Sequence, residues 1–239
     1  MEKDKTKEQQ KGTEHPLSMI INDSVKIFSD LGFEVATGPE LESEWYNFDA
    51  LNVPAGHPAR TMQDTFWIKD RKGEVLRTHM TGTSVRSIEK ANKEDRIPCA
   101  FVSIGKVFRN ESTDAGHEMQ FHQIDGIMVG ENVTMANLKF VLLEFFKRLL
   151  GENVEIRLRP SFFPFVEPGV EVDIKVGEKW MEMLGAGMIH PIVLEHAGID
   201  PKKYQGFAFG IGADRLLVTK YGIPDVRFSY QGDLRLNQF

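Results

Sequence analysis

Two arginines stand where a phosphate-binding side chain is expected. Arg109 ends the strand-like run 105–109 just before a polar stretch, and Arg215 follows the glycine-rich segment 206–212. The planar guanidinium of arginine stays charged and can bind phosphate or carboxylate oxygens bidentately. A lone arginine is more often a surface charge, so the indication of phosphate chemistry comes from the two contexts taken together.

A pair of polar residues interrupts a second apolar run, over 121–129. Gln123 and Asp125 are two residues apart, and side chains at this spacing on a strand share one face of the sheet. An amide and a carboxylate could therefore reach one ligand. The same spacing also fits a structural hydrogen bond between strands.

The segment Phe163-Pro164-Phe165 holds two aromatic rings close together on a backbone stiffened by proline. Downstream, the glycines of 206–212 allow a ligand to approach the backbone closely. These features together suit an apolar amino acid beside a nucleotide. By itself, such an aromatic turn is more often part of a hydrophobic core.

Acidic residues follow on successive predicted strands: Glu167, Glu171, Asp173 and Glu182. Magnesium uses one or two such carboxylates together with ATP phosphates and water, and Glu167 and Glu182 are the candidates for this role. The others could equally pair with nearby arginines.

The histidines and the cysteine do not indicate a zinc site. His117 and His122 are five residues apart, whereas the two histidines of a helical zinc motif are four apart. The lone cysteine, Cys99, excludes an intrachain disulfide and a multi-cysteine zinc site, and its apolar surroundings favour a buried thiol.

The composition fits one domain. The 239 residues are 41% hydrophobic, but residues 1–14 carry no apolar side chain after Met1, which predicts a solvated polar tail before a domain over 15–239. The net charge of −6 provides no general attraction to RNA, so any RNA contact needs a local patch or a partner. We find no transmembrane or secretory segment and expect a cytosolic protein with no membrane partner.

Apolar periodicity and turn residues predict the order of the elements. A helix begins at Pro16 and ends near Gly32, and a hairpin turns at Lys72-Gly73. The remaining predicted elements are strands 97–109 and 121–129, helix 134–150, strands 154–159, 170–176 and 180–184, helix 191–197, strand 206–211 and helix 212–221. Strands without regular helical crossovers indicate an antiparallel sheet flanked by helices, an α+β fold.

In their order and content, these motifs resemble the catalytic core of class II aminoacyl-tRNA synthetases, and among them the alpha subunits of phenylalanyl-tRNA synthetases, over residues 15–239. The resemblance implies activation of phenylalanine with Mg-ATP and its transfer to tRNA(Phe). It implies a beta subunit, in a heterotetramer of two alpha and two beta chains, with a homodimer as the alternative. The coiled-coil arm of bacterial alpha subunits has no counterpart in the polar tail, so we expect a partner to bind tRNA.

The resemblance also implies roles for individual residues. Arg109 and Arg215 match the catalytic arginines that contact ATP, His117 matches a loop histidine near the phosphates, and Phe121 matches the ring that stacks on adenine. The amino-acid site corresponds to a larger set: His79, Thr81, Ser84, Gln123, Asp125, Phe163, Phe165, Val166, Ala208 and Gly210.

Three positions depart from the family pattern. Asp125 stands where glutamate is usual, Ser84 where glutamine is expected, and Gly82 where proline is common. These departures leave two other readings open: a paralogue that activates another amino acid or charges no tRNA, and a non-catalytic regulatory or interaction protein on the same fold. The presence of Arg109, Phe121 and Arg215 argues against the non-catalytic reading.

Overall fold

The computed structural model describes residues 13–61, 64–110, 113, 118–233 and 236, so most of the predicted polar tail lies outside the described residues. Within these ranges the chain has the predicted α+β architecture. The helices are α1 (Pro16–Asp30), α2 (Glu44–Asn47), α3 (Thr81–Lys93), α4 (Met135–Leu150), α5 (Pro191–His196) and α6 (Ala213–Tyr221). The strands are β1 (Glu34–Ala36), β2 (Leu41–Ser43), β3 (Glu74–Leu76), β4 (Cys99–Phe108), β5 (Gln120–Gly130), β6 (Ile156–Phe163), β7 (Val166–Val176), β8 (Lys179–Ile189) and β9 (Gln205–Gly212).

Seven strands form the main sheet in the order β1-β4-β5-β9-β8-β7-β6, while β2 and β3 pair separately. Every pair in the main sheet is antiparallel except β1 with β4, as the sequence predicted for most of it. One cross-strand row reads Asp125, Gly210, Gly185 and Glu171 on β5, β9, β8 and β7. Directly opposed residues share a face, so this row identifies one side of the sheet.

Helices α1, α4 and α6 cover the other side. The residues that alternate with the row belong to the larger core, among them Ile124 and Ile211, and their side chains are buried. Phe28 of α1 stacks on Phe145 of α4 and Phe209 of β9, with ring centroids 4.5 and 5.3 Å apart. Burying each ring contributes roughly 1.5–3 kcal/mol. The face of the sheet that is covered by these helices therefore supports the face that carries the cross-strand row.

Local sequence explains where several elements begin and end. His15 caps α1, since its Nδ1 accepts from the N–H of Leu17, and Pro16 suits the first turn. Gly32 has φ +88, the left-handed conformation that ends many helices. The hairpin at Lys72-Gly73 is also confirmed: Leu76 donates to the Phe66 carbonyl, and Trp67 bridges to Val75. Helix α3 was not predicted.

A second core lies on the side of the sheet that carries the row. It combines Ile127 and Ala208 of the sheet with buried residues of α3 and α5, such as Ile88 and Val193. Cys99 packs against this cluster and is half-buried, and burial raises the pKa of its thiol to about 11. The thiol is therefore held in its neutral form.

Candidate active site

A cleft of about 730 Å³ opens on the side of the sheet that carries the row, and its floor is made of glycine. A Cβ added to Gly185 would lie 2.8 Å from Cζ of Phe163, and one added to Gly210 would lie 2.7 Å from Nε2 of Gln123. Only glycine fits such spacing without displacing a neighbour. The bare backbone thus keeps the cleft deep between β5 and β8.

Arg109 forms one wall of the cleft. It directly follows β4, and its N–H donates to the Met119 carbonyl, which extends the strand pairing. Its Nε donates to the Thr78 carbonyl at 3.1 Å, and its Cζ lies 5.0 Å from the ring centroid of Phe121. A guanidinium beside an aromatic ring is a combination that can bind a phosphate and a flat base together.

Arg215 forms another part of the lining, in the first turn of α6 directly after β9. Its Nη1 donates to the Glu182 carbonyl at 3.2 Å and lies 3.9 Å from Oε1 of the same residue. The neighbouring Asp214 is buried and accepts from the N–H of His122 and from the hydroxyl of Tyr230, at 2.9 and 2.7 Å. These bonds tie the start of α6 to β5.

Buried polar atoms of Gln123 and Asp125 lie beside Gly210. Asp125 is only 2% exposed, and its Oδ2 accepts from Oγ1 of Thr81 at 2.6 Å. Its Oδ1 makes no well-aligned hydrogen bond among the described residues, although the Gln123 amide lies near enough to lower the pKa of the carboxyl. Oε1 of Gln123 is likewise buried without a partner there. A buried acceptor left unpaired costs about 1–3 kcal/mol. Two such atoms on one strand face form a site suited to a hydrogen-bond donor such as an ammonium group.

His79 adds a third buried acceptor. Its Nε2 lies 3.1 Å from the Asn47 carbonyl, which can only accept, so this nitrogen carries the proton. Burial, helped by the charge of Arg109, lowers the pKa of His79 to about 4, which keeps the ring neutral. Its Nδ1 is then an acceptor, and it is buried with no partner among the described residues.

The other predicted amino-acid residues lie deeper. Ser84 on α3 is buried, and Val166 and Ala208 belong to the second core with Phe165 packed against them. The rings of Phe163 and Phe165 stack with centroids 5.9 Å apart. Phe163 lines both the cleft and a second cavity of about 290 Å³.

The two candidate magnesium carboxylates line different cavities. Glu182 lines the cleft beside Glu171, and its Oε2 lies 3.5 Å from Nη2 of Arg159. Glu167 is exposed and lines the second cavity. No group of three or more His, Cys, Asp or Glu side chains suited to a metal occurs within the described ranges. The carboxylates of the cleft still fit an ion that is held jointly by ATP phosphates, because that arrangement needs only one or two of them.

Comparison with known proteins agrees with this geometry. The family model for the tRNA synthetases class II core domain (F) matches residues 3–239. The chain belongs to this family. It is 48% identical to the phenylalanine--tRNA ligase alpha subunit of Anoxybacillus flavithermus, over 96% of this chain and 69% of that protein. Proteins of the same name from Bacillus mycoides and Bacillus cytotoxicus are 48% and 47% identical, each over 95% of this chain and 69% of the relative.

Within this class II core, the cleft brings together seven of the residues predicted from sequence: Arg109, Phe121, Gln123, Phe163, Glu182, Gly210 and Arg215. Seven others do not line the cleft: Thr81 and Asp125 bond to each other, Phe165, Val166 and Ala208 belong to the second core, and Nδ1 of His79 and the side chain of Ser84 are buried elsewhere in the described ranges. His117 lies outside the described residues.

No helix in the described ranges has both the length and the apolar character needed to cross a membrane.

Several residues that support the site without lining the cleft were not predicted from the sequence. Arg77 is buried, and its Nε and Nη1 donate to the carbonyls of Lys106 and Gly38. Asn47 bonds to Thr78, and Asp214 bonds to Tyr230. Arg77 could have been singled out as a charged residue beside an apolar strand. The contacts of Asn47 and Asp214 could not have been predicted, because no local sequence pattern marks these residues.

Proposed function

We propose that this chain activates phenylalanine with Mg-ATP to form phenylalanyl-adenylate, and then transfers the phenylalanyl group to tRNA(Phe). The observation that carries this proposal is a single cleft that combines two arginines from separate motifs with Gln123 and Gly210, beside which the buried carboxylate of Asp125 lies. The names of the curated relatives support phenylalanine as the substrate.

In this proposal the carboxylate of the amino acid attacks the α-phosphorus of ATP. A new O–P bond forms, the bond to the β-phosphate oxygen breaks, and pyrophosphate leaves. Negative charge is crowded at the phosphorus in the transition state, and Arg109 and Arg215 stabilise it there. No nucleophile from the protein is needed, because positioning and electrostatics supply the rate increase. In the second step a tRNA hydroxyl attacks the carbonyl carbon and AMP leaves.

The buried acceptors fix the other end of the amino acid. An ammonium group bound at these residues would donate to Oδ1 of Asp125 and Oε1 of Gln123, with Nδ1 of His79 as a further acceptor. Such binding satisfies atoms that otherwise remain unpaired in the protein interior. Phe163, Phe165, Val166 and Ala208 offer the apolar surface for the side chain, and Phe121 offers a ring for adenine. His117 is proposed to lie near the phosphates.

Magnesium, when bound with ATP, supplies positive charge to the phosphate oxygens. Glu182 would hold it on the side of the cleft near Arg215, with Glu171 beside it. Glu167 lines the second cavity, so it would hold magnesium only at a separate position.

The proposed assembly follows from the relatives, whose names describe alpha subunits. We propose residues 15–239 as one catalytic domain that works with a beta subunit in a cytosolic heterotetramer of two alpha and two beta chains. A homodimer is the alternative. The beta subunit would contribute to binding tRNA, since the net charge of this chain is −6.

A paralogue with another amino-acid substrate is the second candidate, and Ser84 and Asp125 favour it. Both residues are buried and depart from the family pattern. The shorter carboxylate of Asp125 leaves more space around the ammonium end.

ATP–pyrophosphate exchange measured with each of the twenty amino acids tests the proposal. We expect phenylalanine to give the highest exchange rate. Faster exchange with a different amino acid would establish the paralogue. An absence of exchange with all twenty, by a folded protein assayed with its partner subunit, would favour the non-catalytic reading.

A further inference from the structure

Asn47, at the end of α2, is 1% exposed and makes two side-chain hydrogen bonds to the same residue. Its Oδ1 accepts from the N–H of Thr78, and its Nδ2 donates to Oγ1 of Thr78, both at 3.1 Å. A carboxamide that donates to and accepts from one residue fixes both the main chain and the side chain of that residue. Because the two partners are 31 positions apart, this contact joins distant segments.

Thr78 in turn holds a residue of the cleft. Its carbonyl accepts from Nε of Arg109 at 3.1 Å. A hydrogen bond at Nε restrains rotation of the guanidinium about the side-chain axis. The position of Thr78 therefore determines the direction in which the two terminal nitrogens of Arg109 point. The main-chain carbonyl of Asn47 also contacts His79, the next residue. The segment 78–79 is thus held from one side by Asn47, and it holds Arg109 on the other.

We propose that Asn47 is a positioning residue that aligns Arg109 with the triphosphate by fixing Thr78. This inference rests on the proposed function. Asn47 does not line the cleft and would touch no substrate. Its effect passes through two consecutive hydrogen bonds, and displacement of a catalytic group by about 1 Å can cost about a hundredfold in rate.

The test compares Asn47→Ala with wild type in the complete chain, assayed with its partner subunit. The substitution removes both bonds to Thr78 but keeps the main-chain carbonyl that contacts His79. We expect ATP binding, measured by calorimetry, to weaken about tenfold, the equivalent of one lost hydrogen bond. We expect kcat/KM for ATP–pyrophosphate exchange to fall about a hundredfold. Asn92→Ala is the matched control, because Asn92 also donates from its amide to a distant carbonyl, that of Gly198, but stands outside the cleft.

A double-mutant cycle separates positioning from general damage to the fold. If Asn47 acts through Arg109, then Asn47→Ala lowers activity by less than about threefold in an Arg109→Lys background. An equal loss in both backgrounds, or an Asn47→Ala protein within about threefold of wild type, would overturn the inference. If Asn47→Ala does not fold, Thr78→Val removes only the acceptor of Nδ2, and Thr78→Ser restores it.

Different experimental outcomes distinguish failure of the proposed function from failure of the role proposed for Asn47. A wild-type protein that binds ATP but exchanges pyrophosphate with no amino acid would refute the proposed reaction. The same cycle, read by ATP affinity alone, would still decide whether Asn47 positions Arg109. A wild-type protein that binds no ATP would overturn both.

Discussion

Replacing Asp125 by asparagine should make the protein more stable at neutral pH and a weaker binder of its amino acid. Burial raises the pKa of Asp125 to about 7 and outweighs the hydrogen bonds from Thr81 and Gln123 and the positive charge of Arg109. Asparagine has the same shape and keeps an acceptor oxygen, but it carries no charge. The two effects are therefore separable by measurement.

The effect on stability follows from proton linkage. The pKa is raised from a reference value of 3.8 to about 7, so the folded state binds more protons than the unfolded state between these values. This group therefore favours folding most below pH 4, and its contribution is lost as the pH rises through 7. A shift of about three pKa units corresponds to about 4 kcal/mol. Asp125→Asn should recover part of this amount at pH 8 and little at pH 4.

The effect on binding has the opposite sign. An ammonium ligand favours the ionised carboxylate, so binding should strengthen as the pH rises through 7. With a pKa of about 7, the ionised fraction of Asp125 changes about tenfold between pH 6 and pH 8. We expect KM for phenylalanine to fall about tenfold over this interval in wild type. In Asp125→Asn, we expect KM to be higher at pH 8 and nearly independent of pH.

The assay is ATP–pyrophosphate exchange at saturating ATP between pH 6 and pH 8, combined with urea unfolding at pH 4 and pH 8. Thr81→Val is the matched variant, because it removes the hydrogen bond that favours the ionised form and should move the change in KM to higher pH. A wild-type KM that stays constant from pH 6 to pH 8, or an Asp125→Asn protein less stable than wild type at pH 8, would show that Asp125 does not titrate near pH 7 as a ligand of the ammonium group.

Three further substitutions probe the cleft. Gly210→Ala should abolish most phenylalanine activation, since its Cβ would lie 2.7 Å from Nε2 of Gln123; Gly56→Ala, whose Cβ meets nothing within 4 Å, should be silent in the same exchange assay. Ala208→Gly should admit para-chlorophenylalanine. An unchanged KM for that analogue would mean that the ring of the bound phenylalanine does not point toward residue 208. Arg215→Ala should lower kcat about 100- to 1000-fold with little change in unfolding temperature; near wild-type exchange would remove it from the mechanism.

Much of the site could be predicted because its residues lie in short local patterns. The spacing of Gln123 and Asp125 placed both on one strand face, and both have unpaired acceptor oxygens there. Arg109 was recognised at the end of a strand, and the structure places it at the wall of the cleft. Alternation along a strand and turn chemistry are encoded by neighbouring residues, so these features can be read from sequence.

Helix α3 was missed although Val85, Ile88 and Ala91 recur three residues apart, a spacing typical of a helix face. Its apolar residues are few, and its first turn contains Gly82 between two threonines. Glycine and β-branched residues lower helix propensity. Packing of α3 against the second core stabilises the helix instead, and a local pattern does not reveal that packing.

The supporting contacts were missed for a related reason. The bond from Asn47 to Thr78 spans 31 positions, and that from Asp214 to Tyr230 spans 16. Each joins two residues whose types are ordinary in their own segments. Only the order of the strands and the docking of the flanking elements bring them together, so the supporting shell of the site requires the structure.

The proposed binding mode can be seen in a crystal structure with a non-hydrolysable phenylalanyl-adenylate analogue, in which a sulfamoyl group replaces the phosphate. We expect the ammonium group within hydrogen-bond distance of Oδ1 of Asp125 and Oε1 of Gln123, and the sulfamoyl group beside Arg109 and Arg215. We expect the adenine to lie against Phe121. An analogue bound outside the cleft, or one whose ammonium group contacts neither acceptor, would rule out this binding mode.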